Sequence, residues 1–325
     1  MDRPLTAVLL AGTLRPSPLR EALDVPVLCL PMGKEGTVLD AWLTALAEID
    51  GLDDVRIVVN SERDVEAVEA CHRASPAPGR SGPRPGRVKA IAEPASWRGA
   101  GGILHDVTGD LPEEAIVIVG EANALPPSSL APMRAAWRDG SSGIVGVCGT
   151  DEPAGVYAFA RHTFGVVGPI GYHDLKEQLL PALASGGAAI RTAYLGERLL
   201  RLYERAEYLA AVRRSLAPDG EATKVVRRSP QASISGSAIL EGCCIIEDGV
   251  LVEDGAVVHE TVLLSGATIG GGAVVSQSIV APLSAVHPRS QIVRQVFRGV
   301  PERVVEVAAA AERRAAVVDG TGVGR

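Results

Sequence analysis

The residues that could carry chemistry in this 325-residue chain are few. Of 32 basic residues only four are lysines, Lys34, Lys89, Lys176 and Lys224, so a mechanism needing a particular ammonium group must choose among them. The five cysteines (Cys29, Cys71, Cys148, Cys243, Cys244) are odd in number and lack the spacing of a zinc site. They read as small core hydrophobes of a reducing compartment. Four arginines between Arg73 and Arg87 fall in and beside a Pro/Gly-rich stretch, ASPAPGRSGPRPGR (74–87), which reads as a mobile surface insertion able to touch an anion. Asp174 stands directly before an apolar helical pattern and suits a helix N-cap. The net charge of −7 and pI near 5.5 exclude a general binder of nucleic-acid backbones, which needs a basic face. No apolar run reaches the roughly 18 to 20 residues of a membrane span. The apolar stretch in MDRPLTAVLLAGT is too short for a secretory signal and reads as a buried strand. These features predict a soluble cytoplasmic protein with neither a nucleic acid nor a membrane as partner.

The elements that position such residues fall into two regions with different periodicities. TAVLL (6–10), RIVV (56–59), IVIV (116–119), GIVGV (143–147) and VYAFA (156–160) are short, largely β-branched runs that read as buried strands. Val38 to Leu46, Leu130 to Trp137 and Leu175 to Leu183 carry apolar residues at three- and four-residue spacing and read as helices. Interleaved strands and helices imply βαβ units and a mostly parallel sheet covered on both faces. In such sheets ligands sit beyond the carboxyl ends of the strands. Aromatics are only 3% of the chain, so the core is expected to be aliphatic.

From Ala217 the pattern changes. Ile234, Leu240, Ile246, Val252, Val258 and Leu264 recur every six residues, and after a one-residue slip the period resumes at Ile269, Val275 and Ala281. This is the signature of a hexapeptide-repeat β-helix, in which inward aliphatic residues stack from one coil to the next. About three coils make a solenoid that needs capping. The tail RGVPERVVEVAAAAERRAAV reads as a helix suited to that role. The expected organisation is a βαβ domain over 1–217, a linker and β-helix over 218–297, and a helix and tail over 298–325.

A βαβ domain followed by hexapeptide repeats resembles the sugar-phosphate nucleotidyltransferases, among them the mannose-1-phosphate guanylyltransferases and the glucose-1-phosphate adenylyl- and thymidylyltransferases. AVLLAG (7–12), LPMGKEGTVLDAWLTAL (30–46), EPASWRGAGGIL (93–104), IVIVGEA (116–122), GVYAF (155–159), GYHDLKEQLLPAL (171–183) and RAEYLAA (205–211) carry the resemblance in family order. It implies a glycosyltransferase-A-like, Rossmann-like α/β domain, then a short left-handed parallel β-helix. It also implies condensation of a nucleoside triphosphate with a sugar 1-phosphate, releasing pyrophosphate, with Mg²⁺. By the same resemblance Leu10, Ala11, Gly12, Arg15, Glu93, Gly99, Ala100 and Gly101 contact the nucleotide, Arg15 is the candidate catalytic group, and Glu121 is the metal ligand. The glycines of 99–102 have a second reading, as a tight turn before a helix.

The chain departs from the family where the chemistry sits. Gly12 and Arg15 remain of the "GGxGTRLxPLTxxxPK" loop, but its paired glycines are gone, and Pro26 and Val27 stand where the family has "PK". Lys34 matches a different family lysine at a turn. The first metal-binding Asp aligns with Glu121 and the second with Arg201, where a cation would repel metal yet could hold a phosphate. Only TDEPA (150–154) separates GIVGVC from GVYAF, which leaves no room for the sugar-binding "EKP" hairpin. Several lost contacts at a site where one is worth about 3 kcal/mol remove most of a rate enhancement. The expectation is therefore a catalytically impaired relative that binds a nucleotide or nucleotide sugar, self-associating or docking onto an active paralogue through the β-helix. The alternatives are a divergent active nucleotidyltransferase using Arg15, Glu121 and Arg201, a β-helix acyltransferase using His259 or His287, and a structural scaffold.

Overall fold

A computed structural model of the chain describes residues 3–12, 17–33, 36–75, 86–93, 97–137, 140–149, 152–196, 199–218, 220 and 224–299. Arg15, Lys34, most of the expected insertion at 74–87 and the expected helix from residue 300 onward lie outside them. The chain divides into two compact units, Met1–Ala211 and Val212–Arg325. No helix of the described residues is long and apolar enough to cross a membrane.

The first unit is built on seven strands: β1 (Leu5–Leu10), β2 (Leu52–Val59), β3 (Arg87–Ala92), β4 (Ile116–Glu121), β5 (Gly143–Cys148), β6 (Glu152–Ala160) and β7 (Ile190–Tyr194). Their order is β3-β2-β1-β4-β6-β5-β7. All pairings are parallel except those of β6, which runs antiparallel to both β4 and β5. The expected strands are all present, because runs of Val and Ile buried on both faces are what a covered sheet requires. β3 and β7 are the sheet edges and carry mixed exposure, which hides them from a search for apolar runs. β5 and β6 face each other from Cys148 and Glu152, so three residues join them.

The helices are α1 (Pro18–Leu23), α2 (Val38–Leu46), α3 (Glu62–Ala74), α4 (Gly99–Val107), α5 (Ala131–Ala136), α6 (Leu180–Ser185), and α7 (Arg205–Leu216), along which the division between the units falls after Ala211. A π-wound turn over Leu175–Leu179 leads into α6, and Asp174 caps it as expected, accepting from the N–H groups of Lys176 at 2.7 Å and Glu177 at 2.8 Å. α2 begins with a capping box between Thr37 and Asp40. The core of one face joins Val8 and Leu10 of β1, Val117 and Val119 of β4, Ile103 and Leu104 of α4, and Leu175, Leu179 and Leu183. Although aromatics are scarce, several sit at the centre: Tyr157 stacks on Phe159 at 6.1 Å, and Phe159 meets Phe164 at 5.7 Å.

The second unit consists of short strands in parallel ladders. Lys224 pairs with Gly242, Ser233 with Leu251 and Ile239 with Val257, each 18 residues on; the later steps, such as Leu251 to Thr268 and Val257 to Val274, are 17. Three buried columns follow: Ile234–Val252–Ile269–Val286, Leu240–Val258–Val275–Ile292 and Ile246–Leu263–Val280–Phe297. The expected stacking positions Leu264 and Ala281 are therefore one residue out, and Leu263 and Val280 hold the column. The step is shortened where Thr261 and Ser278, both buried, turn their hydroxyls back to the carbonyls of His259 (2.8 Å) and Ser276 (2.7 Å). Left-handed backbone recurs at equivalent corners. Gly242, Glu260, Gln277 and Arg294 have φ of 68°, 43°, 47° and 54°. Each non-glycine residue there accepts a cost of about 1–2 kcal/mol that the ladders offset.

Candidate functional site

In an open α/β sheet the neighbours of a strand diverge where the strand order reverses, and the crevice beyond the carboxyl ends at that point receives ligands. Here the chain moves from β1 outward to β2 and β3, then returns to place β4 on the other side of β1. The crevice is thus bounded by Leu10–Gly12 after β1, Asn60 after β2 and Glu121–Asn123 at the end of β4.

The structure brings Leu10, Ala11, Gly12 and Glu121 together there. Leu10 lies opposite Glu121 in the ladder, and the Ala122 N–H donates to the Leu10 carbonyl at 3.0 Å. The N–H groups of Ala11 and Gly12 both donate to the Val58 carbonyl at 2.8 Å, so neither is directed at a ligand. Gly12 is needed for close approach: a Cβ there would stand 2.6 Å from Asn60 Oδ1. A cleft opens beside it, lined by Ala11, Ser17, Arg20, Asn60, Asp64 and Asn123 together with Pro26 and Val27. Pro26 and Val27 thus present apolar surface to the cleft. Arg20 is the cation that does line it, and it is held by Asp64 at 2.7 Å and Asp24 at 3.2 Å. Asn123 Oδ1 is buried and accepts no hydrogen bond. Such an orphaned acceptor costs about 1–3 kcal/mol unless a ligand or water supplies a donor.

Two residues before Asn123, Glu121 is partly buried and its Oε1 faces Lys176 Nζ at 2.7 Å. The Tyr157 hydroxyl donates to the same oxygen at 3.2 Å. Burial first, then the Glu121 carboxylate, push the Tyr157 phenol well above its ordinary range, while Arg201 opposes them. Arg201 is brought here by backbone pairing: it bridges to Ala124, the Leu202 N–H donates to the Asn123 carbonyl at 2.8 Å and the Leu125 N–H to the Leu200 carbonyl at 2.9 Å. Mg²⁺ is usually held by one or two carboxylates together with waters and substrate phosphates. Glu121 supplies one carboxylate that is already paired with an ammonium, and Asp174 spends its Oδ1 on backbone N–H groups. Among the described residues no group of three or more His, Cys, Asp or Glu could hold a metal. Mg²⁺ held by Glu121 would compete with the Lys176 ammonium for Oε1.

The glycines of 99–102 start α4 and serve a backbone-to-backbone contact. The His173 carbonyl accepts from the Gly101 N–H at 2.8 Å, and the His173 N–H donates to the Arg98 carbonyl at 2.8 Å. A Cβ at Gly99 (φ 71°) would lie 2.5 Å from the His173 oxygen, and one at Gly101 2.9 Å from it. Ala100, between them, is partly buried against the first unit's core. Arg98 is nearly buried and fastens the same segment: it pairs with Asp106 at 2.9 Å and donates to the carbonyls of Gly168 (3.0 Å) and Gly171 (2.9 Å). The Arg98 guanidinium holds the Asp106 carboxyl below its usual range against the opposing effect of burial. Glu93 directly follows β3, two strands from β1; its N–H donates to the Val59 carbonyl at 2.8 Å, and burial pushes its carboxyl up.

Sequence reasoning missed Asn60, Asn123, Tyr157 and the role of Lys176. The scarcity of lysines was the one signal pointing at Lys176. In the second unit His259 Nδ1 lies 3.1 Å from Ser276 Oγ, and His287 is exposed on a later turn. No protein-family model matches the chain, and no curated protein is significantly similar to it.

Proposed function

We propose that the first unit is a nucleotide- or nucleotide-sugar-binding domain of the sugar-phosphate nucleotidyltransferase type that has lost ordinary turnover, in a cytoplasmic protein. The second unit, on this reading, is a short left-handed parallel β-helix through which the chain pairs with a second copy or an active relative. The observation that carries the binding reading is the cleft at the carboxyl ends of β1, β2 and β4, where the strand order reverses and Asn123 offers a buried, unused acceptor. A nucleoside supplies hydroxyl or amino donors for that oxygen, and its diphosphate extends toward Lys176 and Arg201.

Impaired turnover is supported by the same residues. The charges a phosphoryl-type transfer needs are committed: Arg20 to two carboxylates, and Glu121 to Lys176. Exposed apolar side chains on the coil, Ile239, Leu251, Leu283 and Val293, support association through its faces. The test is pyrophosphate release by the purified full chain across the common nucleoside triphosphates and sugar 1-phosphates with Mg²⁺, alongside direct binding of the same nucleotides. Binding without release above a no-sugar control is expected. Release that Glu121→Gln abolishes would replace this reading with an active, divergent nucleotidyltransferase.

A further inference from the structure

We propose that Lys176 is the resident cation of this site, and that with Arg201 it binds the diphosphate of a ligand without any divalent metal. The inference rests on the nucleotide reading above and deepens it, because it starts from the competition between the Lys176 ammonium and Mg²⁺ for Glu121.

A metal bound to Glu121 would sit about 2.0–2.1 Å from a carboxylate oxygen. Oε1 is instead in contact with the Lys176 ammonium at 2.7 Å and the Tyr157 hydroxyl at 3.2 Å. Oε2 lies against Gly155, where a Cβ would be 3.2 Å away. An incoming dication would have to displace the ammonium or stand beside a like charge. The same contacts suit Lys176 to a different task. An ammonium has three donors, Glu121 uses one, and the side chain is 44% exposed. Arg201 is exposed, and its fork of N–H groups matches phosphate geometry. Asp174 and, next to Lys176 in the chain, Glu177 are further acids, and Asp174 Oδ1 accepts from the backbone N–H groups of Lys176 and Glu177. Glu121 thus fixes the ammonium in place, with donors left over for an anion.

The experiment is calorimetric titration of the full chain with inorganic pyrophosphate in EDTA. Saturable binding is expected in EDTA, with no tightening on addition of Mg²⁺. Lys176→Met should weaken it about tenfold or more, the worth of a charged hydrogen bond. Lys176→Arg should retain much of it, Arg201→Met should weaken it several-fold, and Lys224→Met, in the second unit, should leave it unchanged. Mn²⁺ alone should show no saturable binding to the wild type. Binding of pyrophosphate only with Mg²⁺, no binding in any condition, unaltered binding by a folded Lys176→Met variant, or Mn²⁺ binding that Glu121→Gln removes would each overturn the proposal. A nucleotide panel run in parallel separates the two claims. Nucleotides that bind only with Mg²⁺ overturn the metal-free site and leave the nucleotide reading standing. Pyrophosphate binding in EDTA with no nucleotide bound does the reverse.

Discussion

Replacing Gly99 by alanine separates a packing role from a ligand-cupping role for the glycine segment. Gly99 has φ 71°, and its Cβ position lies 2.5 Å from the His173 carbonyl oxygen and 2.7 Å from its carbon. The left-handed backbone costs an alanine about 1–2 kcal/mol. Pushing the His173 backbone away adds about 1–3 kcal/mol of overpacking and weakens the Gly101 N–H bond to the same oxygen. The expected loss is about 2–5 kcal/mol, a large part of the 5–15 kcal/mol typical of a folded domain. All three tryptophans, Trp42, Trp97 and Trp137, lie in the first unit, so tryptophan fluorescence in urea reports that unit alone. Gly187→Ala is the matched control: its φ is 76° and nothing lies within 4 Å of its Cβ position. It should lose only the backbone share, about 1–2 kcal/mol. If Gly99→Ala is no more destabilised than Gly187→Ala, the close approach to His173 is not what the glycine provides, and the nucleotide-contact role becomes the better account.

Three further outcomes follow from the packing and the ionisations. Leu263→Ala, which opens a hole in a column of the second unit, should cost about 2–5 kcal/mol, read as loss of that unit's circular-dichroism transition at lower denaturant; an unchanged midpoint would return the column to Leu264. The folded Asp106 carboxyl is held down by Arg98, so its contribution to stability is present above the unfolded value near 3.8 and fades as pH falls through the lower folded value. Asp106→Asn should therefore flatten the acid limb of the first unit's stability curve below about pH 4, and an unaltered acid limb would contradict the pairing. A hydrogen bond with Cys71 and burial push the Cys29 thiol well up, and burial pushes Cys244 up to about 11, so iodoacetamide at pH 8 should label both only after unfolding; rapid native labelling of either would refute the assignment.

What could be read from the sequence, and what could not, follows burial. β1, β2, β4, β5 and β6 declare themselves because the covered centre of a sheet demands near-continuous apolar runs. β3, RVKAIA, and β7, IRTAY, are edges, where alternation with Arg, Lys and Thr removes the signal. α3 was missed because among its residues only Asp64 and Val68 are buried, too thin a stripe to show a helical period. The six-residue repeat was legible until Thr261 and Ser278, with buried hydroxyls turned back to the chain, shortened the ladder step from 18 residues to 17. At the site, Leu10, Ala11, Gly12 and Glu121 were identifiable as residues at strand ends. The Glu121–Lys176 pair spans 55 positions and depends on the π-wound turn at Leu175, which no local pattern encodes. Glycines 99–102 looked like a ligand cradle because a backbone carbonyl and a ligand place the same demand on them, room without a Cβ.

The central claim is that the crevice between β1 and β4 holds a nucleotide or nucleotide sugar. The most direct measurement is calorimetric titration of the full chain with nucleoside diphosphates and their sugar conjugates, run beside Asn123→Leu, which replaces the orphaned acceptor by an apolar group of similar size. The account predicts micromolar binding of at least one nucleotide by the wild type. It also predicts a loss of about tenfold or more in the variant, as expected when a buried hydrogen bond to the ligand is removed. No binding of any nucleotide by the folded chain, or equal binding by the two proteins, would contradict it.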